Sequence, residues 1–321
     1  MQQVHKKYVH HSTAFIQRIV ANTRTRTVGT QEVLERSKIK HSKAVPRKKV
    51  DSWLKKEVPH WAELNDNLNT YYGKPSDSDL NTTNHFFNKA KVKFEWSAAS
   101  FDDIPSQKLK NLAMSRELDC NTPRKHGRET SIPPAWLNTL PEVIFIGGTN
   151  VGKSSILNNI TTSILSKEVG SLARVSKTTG FTKTLNSYNV GNKLRMIDSP
   201  GYGFNSSKGQ GKATLQYLLE REELVRCFLL LAGDKDINDT DNMMIQYMHE
   251  HGVPFEVVFT KMDKVKDLES FKRKIKSSGL TEMPTLPRII LTNSLTSSVS
   301  PRRFGIDLLR YTIFQSCGLI S

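Results

Sequence analysis

Residues Gly147 to Ser154 read Gly-Gly-Thr-Asn-Val-Gly-Lys-Ser and match the spacing G-x-x-x-x-G-K-[ST]. The run follows the apolar stretch Val143–Ile146 and precedes Ser155–Ile160, whose apolar positions 156, 157 and 160 share one helix face. Strand, glycine loop and helix in that order constrain the fold more than any other feature. They require a parallel α/β layer with a phosphate site at the strand's carboxyl end. Gly147 and Gly152 let the backbone wrap an anion, and the amides of Thr149, Asn150, Val151 and Ser155 lie where loop and helix start donate. Lys153 supplies charge to the β- and γ-phosphates, and Ser154 supplies a hydroxyl to Mg²⁺.

The remaining parts follow in the order a nucleotide switch needs. Leu194–Ile197 reads as a strand ending in Asp198-Ser199-Pro200-Gly201, with Asp198 as the Mg²⁺-side carboxylate and the Gly201 amide toward the γ-phosphate. Between these parts lies Ser176–Thr182, a polar segment able to bring a second Mg²⁺-ligating hydroxyl. Thr182 is the choice there, with Thr178 and Thr179 as competitors. A strand at Phe255–Phe259 then delivers Thr260-Lys261-Met262-Asp263. Guanine presents two adjacent N–H donors that one carboxylate accepts, whereas adenine would leave Asp263 unpaired. The Lys261 stem is placed to cover the base. A last strand, Arg288–Leu291, ends at Thr292-Asn293-Ser294, so the amides near Ser294 and Leu295 are candidates for the guanine O6. The helices are expected at Lys212–Leu224, Asp241–His251, Leu268–Ser277 and Ile306–Gln315, with Met243, Met244 and Met248 facing the core.

The combined motifs resemble the EngB/YihA/YsxC family of ribosome-assembly GTPases, in a mitochondrial, fungal-type form. The carrying residues are Gly147–Ser155, Ser176–Thr182, Asp198-Ser199-Pro200-Gly201-Tyr202-Gly203-Phe204, Thr260–Lys264 and the opening strand region Phe94–Ser100. The resemblance covers residues 94–321 and implies a Ras-like P-loop GTPase domain, a mostly parallel sheet with helices on both faces, built on a P-loop core at 141–321. It assigns Thr182 to Mg²⁺ and switch I, and Lys261 and Asp263 to guanine. It further implies hydrolysis of GTP to GDP and phosphate during large-subunit assembly, with ribosomal RNA and ribosomal proteins as partners. The chain departs from the family pattern at Gly148, at Thr179–Phe181, around Leu231–Asp236 and in an insertion at 106–140.

Lys153, Thr182, Gly201 and Asn150 form the expected catalytic set. Tyr202 stands where many GTPases carry a water-orienting glutamine, so slow intrinsic turnover completed by a partner is expected. Asn150 has two open readings. In similar GTPases an asparagine here helps bind K⁺ near the phosphates, and otherwise it stabilises the loop. The alternative to a partner-stimulated enzyme is a GTP-gated binding module with little turnover.

The formal net charge of +16 favours a polyanion such as RNA. The first 31 residues contain no Asp or Glu but carry Lys6, Lys7, Arg18, Arg24 and Arg26, with Phe15, Ile16, Ile19 and Val20 on one helical face. That is the pattern of a transit peptide to the mitochondrial matrix, with an ordinary basic terminus as the competing reading. The run Lys38–Lys43 with Arg47–Lys49 is an RNA-contacting arm, a solvated tail or a mimic of a nuclear signal. Residues 32–93 form a basic, polar N-terminal extension, expected to be of low order. Cys120, Cys227 and Cys317 have no metal-ligand or disulfide spacing, and the apolar run Cys227–Ala232 is too short to span a membrane.

Overall fold

A computed structural model describes residues 59, 61–118, 139–164, 166, 169–170, 172, 182–202, 208–295 and 303–320. The expected transit peptide, the arm at 38–49, Cys120, Thr178 and Thr179, and most of the insertion lie outside the described residues.

The described strands are β1 (Val92–Ala98), β2 (Glu142–Gly147), β3 (Leu185–Val190), β4 (Leu194–Asp198), β5 (Leu224–Ala232), β6 (Phe255–Thr260) and β7 (Ile289–Leu291). They form one sheet in the order β1-β3-β4-β2-β5-β6-β7. β4, β2, β5, β6 and β7 run parallel, and β3 is antiparallel to both its neighbours. The chain leaves β2 for β3 and β4 on one side, then crosses to β5 on the other. This reversal opens a crevice at the carboxyl end of β2, where Gly147 sits.

The helices are α1 (Ala62–Leu68), α2 (Asp77–Lys89), α3 (Pro105–Leu118), α4 (Lys153–Thr161), α5 (Lys208–Glu220), α6 (Asp239–Glu250), α7 (Leu268–Ser277) and α8 (Ile306–Ser316). Strand alternation divides the core in two. Ile144, Ile146, Leu229, Val257 and Phe259 meet residues of α1, α5, α6 and α7. Val143, Phe145, Phe228, Leu230 and Val258 meet residues of α2, α4 and α8. β2 is buried at all positions because both faces are covered, as its apolar run Val143–Ile146 requires.

Three expectations need correction. The helix expected at Lys212–Leu224 runs from Lys208 to Glu220. Its end is set by Arg221, which turns to pair with the buried Glu142, so that Leu224 is free to open β5. Met243 is 70% exposed, because the inward stripe of α6 is Asp241, Ile245 and Met248. The third correction concerns residues 32–93, expected to be of low order with local helical contacts at Trp53, Trp61 and Tyr71-Tyr72. Their described portion is largely helical, and Trp61 and Phe87 are fully buried in the core.

The polar residues of α1 explain why composition misled. The Asn65 Oδ1 accepts from the Leu291 amide at 2.7 Å, and its Nδ2 donates to the Leu291 carbonyl at 3.3 Å. Asn69, one turn later, does the same to Ile289 at 2.9 and 2.7 Å. Two side-chain amides thus stand in for a further strand and cover the open edge of β7. On the opposite face, Phe86 of α2 packs on Phe314 of α8 with ring centroids 4.9 Å apart.

Glu142 anchors the far end of the sheet. Arg221 binds both its carboxylate oxygens at 2.7 Å, Tyr217 donates to it, and Arg195 lies 3.6 Å away. A buried carboxylate is tolerated only with such pairing.

Replacing Trp61 with Ala removes the buried ring that docks α1 and is expected to cost about 3–5 kcal/mol. Urea denaturation followed by circular dichroism checks it. An unchanged midpoint would show that the 61–89 segment does not stabilise the sheet.

Candidate nucleotide site

The loop from β2 to α4 is shaped by close packing. Gly147 has φ +153°, and a Cβ there would lie 2.5 Å from the Leu230 carbonyl oxygen of β5. Only glycine lets the strand end approach its neighbour so closely. Asn150 adopts φ 59°, a left-handed conformation asparagine tolerates, and Gly152 caps α4 with φ 109°.

Lys153 starts α4 and is buried. Its Nζ donates to the carbonyls of Gly147 and Gly148, both at 2.9 Å. The ammonium is thereby held inside the loop it serves. Burial lowers its pKa to about 8, with nearby Asp198 acting in the opposite sense. Asp198 ends β4, and burial raises its carboxyl to about 6 against the pull of Lys153 and Ser154.

The Ser154 hydroxyl donates to Asp198 Oδ2 at 3.1 Å. Asp198 Oδ1 is buried with no hydrogen-bond partner among the described residues. An orphaned carboxylate oxygen beside a hydroxyl is a hard-oxygen donor set that fits Mg²⁺. Thr182 is half-buried, four residues before Asn186, the partner of Asp198 across the β3–β4 ladder. Topology puts it at the same end of the sheet, but its hydroxyl is not bonded to Ser154 or Asp198 among the described residues.

Gly201 lies against the loop. A Cβ there would meet Lys153 Nζ at 3.1 Å and Thr149 Cγ2 at 3.0 Å. The Tyr202 amide donates to the Gly147 carbonyl at 3.3 Å. The Tyr202 side chain points elsewhere, because its hydroxyl donates to Asp241 Oδ1 of α6 at 2.9 Å. Burial, with Asp241 adding to it, raises the phenol well above its ordinary range.

The base-side residues meet the phosphate loop directly. Thr260 was expected among the nucleotide contacts, but its side chain is buried as a bolt, and Oγ1 donates to the Val151 carbonyl at 2.6 Å. Lys261, at φ 57°, donates from Nζ to the Asn150 carbonyl at 2.7 Å. Its stem therefore bridges from β6 to the loop and forms a rail beside the site. Asp263 follows in a short 3₁₀ turn whose Met262 amide donates to the Thr292 carbonyl at 3.1 Å. The turn is half-exposed at Asp263, which leaves the carboxylate reachable.

The sequence reading passed over Asn293. It is fully buried, accepts from the Phe304 amide at 2.7 Å and donates to the Leu295 carbonyl at 2.9 Å. It thus shapes the loop carrying Ser294 and Leu295, which begins at Thr292, the acceptor of the Met262 amide. Arg310 was also missed. Fully buried on α8, it donates to the carbonyls of Ile160 and Thr162, the terminal acceptors of α4, at 2.9 and 2.7 Å. Asn84 and Asn88 of α2 accept its remaining donors at 2.9 and 3.1 Å. A cation at the carboxyl end of α4 complements the helix dipole, whose positive end faces the phosphate loop. Neither signal was legible, since an asparagine after a strand and an arginine in a helix have no motif spacing.

The arrangement suits a nucleotide. Loop amides and Lys153 are the donors that suit a phosphate, Ser154 and Asp198 suit its metal, and the half-exposed Asp263 offers a carboxylate to a base edge. Residues 142–261 match the family model described as "50S ribosome-binding GTPase". The chain is 67% identical over its full length, and that of the relative, to MIOREX complex component 8 of Saccharomyces cerevisiae. It is 36% identical to a probable GTP-binding protein EngB of Gluconobacter oxydans, over 54% of this chain and 74% of that protein. A crystal structure of a probable GTP-binding protein engB aligns with 56% of this chain and 99% of its own, at 18% identity and a TM-score of 0.37. The chain belongs to the EngB-type family of GTPases.

Proposed function

We propose that this protein is a Mg²⁺-dependent, partner-stimulated GTPase acting in large-subunit assembly of the mitochondrial ribosome. The carrying observation is the joint between phosphate loop and base-reading strand. Thr260 and Lys261 bond to the carbonyls of Val151 and Asn150, so guanine recognition and phosphate binding share one rigid frame. The relationship to a MIOREX complex component along the whole chain supports membership of a corresponding complex. The acid-free first 31 residues support import into the mitochondrial matrix, and the net charge of +16 supports contact with ribosomal RNA. Among the described residues, no helix is long and apolar enough to cross a membrane.

Ser154 and Asp198 would hold the Mg²⁺, which supplies charge neutralisation at the β- and γ-phosphates, with Thr182 completing the set in the GTP state. Lys153 binds the phosphates, the Gly201 amide senses the γ-phosphate, and the loop excludes water from the bound side. Tyr202, engaged with Asp241, leaves no side chain at that position to orient the attacking water. This supports slow intrinsic turnover with a partner supplying the missing group. Single-turnover hydrolysis with and without purified mitochondrial large-subunit particles tests the reading. Stimulation of tenfold or more supports it, and equal slow rates in both would favour a GTP-gated binding module instead.

Three further outcomes are expected. Asp263→Asn weakens GTP about 10²-fold and admits xanthine nucleotide, since its amide suits a C2 oxo group; competition binding with both nucleotides reads this, and unaltered GTP affinity would remove Asp263 from the base site. Gly201→Ala pushes a methyl into Lys153 and Thr149 and is expected to reduce affinity for a GTP analogue at least tenfold, about 1.4 kcal/mol, with GDP affected less. Fluorescence titration checks the pair of affinities. If Asn150 helps hold K⁺, turnover is faster in potassium than in sodium buffer, whereas equal rates leave it as a loop stabiliser only.

A further inference from the structure

α7 buries Phe271 and Ile275 against the sheet, and the same spacing turns Lys272, Arg273 and Lys276 to solvent. The preceding turn adds exposed Lys264 and Lys266. From Lys261 to Lys276 the chain carries seven Lys or Arg against three acids. Asp267 caps α7 by accepting from the amides of Glu269 and Ser270 at 3.0 Å, and Glu269 pairs with Lys272 at 2.7 Å. Asp234 and Asp236 are exposed on the neighbouring loop, where they face Lys274. The outer face of α7 with its preceding turn still keeps Lys264, Lys266, Arg273 and Lys276 as exposed cations with no acid paired to them among the described residues.

A cleft of about 530 Å³ runs between α6 and α7 next to this surface, lined by Asp236, Asn242, Ser270, Arg273, Lys274 and Ser277 among others. Ile237 is its one apolar lining residue, so it does not suit an apolar helix or a hydrophobic ligand. Its wall is fixed, because Lys274 Nζ donates to the carbonyls of Gly233 and Lys235 in the loop between β5 and α6. Hydroxyls, an amide and an arginine line the cleft with one carboxylate, Asp236, at its β5–α6 side, and a row of exposed cations flanks it. The hydroxyls and cations match the sugar and phosphate groups of a nucleic-acid backbone, with the phosphates held away from Asp236.

We propose that the outer face of α7 and the α6–α7 cleft form an RNA-docking surface, holding the phosphate backbone through Lys264, Lys266, Lys272, Arg273 and Lys276 without reading base sequence. This rests on the ribosome reading only for the RNA being ribosomal. It assigns the contact to a face of the GTPase domain itself, separate from the basic N-terminal extension.

The test uses the full chain, a K272E/R273E/K276E variant and a K272Q/R273Q/K276Q variant. All three positions are exposed, so the fold should persist, and affinity for a fluorescent GTP analogue on the same preparations verifies this. Fluorescence anisotropy with a labelled RNA hairpin is measured across a salt series. The glutamate variant should lose at least tenfold in affinity. The slope of log K against log salt should fall by about 2–3, as loss of three phosphate contacts requires. The glutamine variant should show the same drop in slope with a smaller loss of affinity. Affinities and slopes equal to the native chain, or no RNA binding by the native chain, would overturn the proposal. Unchanged RNA affinity with lost binding to large-subunit particles would point to an acidic protein surface and overturn it too. Each of these results with GTP affinity intact leaves the GTPase reading standing, whereas a native chain that fails to bind the GTP analogue sinks that reading separately.

Discussion

One buried hydroxyl joins the two halves of the nucleotide site. Thr260 ends β6, and its donation to the Val151 carbonyl ties the strand leading to the Asp263 turn, proposed to read guanine, to the β2–α4 loop, proposed to hold phosphate. Lys261 adds a second tie one residue on, at Asn150. Both acceptors are backbone carbonyls in a loop that cannot pair them within a helix or strand. Losing the hydroxyl would leave a buried acceptor unsatisfied at a cost of about 1–3 kcal/mol. The geometry of the site thus depends on the loop being held from its base side, with Gly147 against β5 from the other.

The same economy extends along α4. Its amino end faces the phosphate crevice, while Arg310 occupies its carboxyl end among neutral acceptors. Arg303 adds hydrogen bonds to Asn159 and to the Ser163 carbonyl just beyond the helix. Among the described residues neither buried guanidinium forms an ion pair, so their charge is costly unless something offsets it, and the end of a helix dipole, with Asp307 near Arg310, does so in part. Asn84 and Asn88 carry this arrangement into α2, so the N-terminal helices buttress the phosphate-binding helix as well as β7. Tyr202 makes a further link, from the residue after Gly201 to the capping turn of α6.

The strands and the nucleotide loop were legible because their signals are local. An apolar run before G-x-x-x-x-G-K-[ST] has one structural use, and Asp198 ends, and Asp263 follows three residues after, a strand whose burial shows in its composition. The N-terminal helices were not legible, since Asn65, Asn69, Asn84 and Asn88 read as solvent-exposed polarity until their partners on β7 and α8 are known. Those partners lie more than 200 residues away in the chain. The end of α5 failed for a similar reason, because the pairing of Arg221 with Glu142 is a tertiary contact that overrides helix propensity. Met243 erred by phase alone.

The central claim is that base recognition and phosphate binding form a single guanine-specific site. Calorimetric titration of the Mg²⁺-supplemented protein with GTP, GDP and ATP tests it most directly. The account predicts saturable one-site binding of GTP and GDP, with no measurable heat from ATP. Comparable binding of ATP would contradict it.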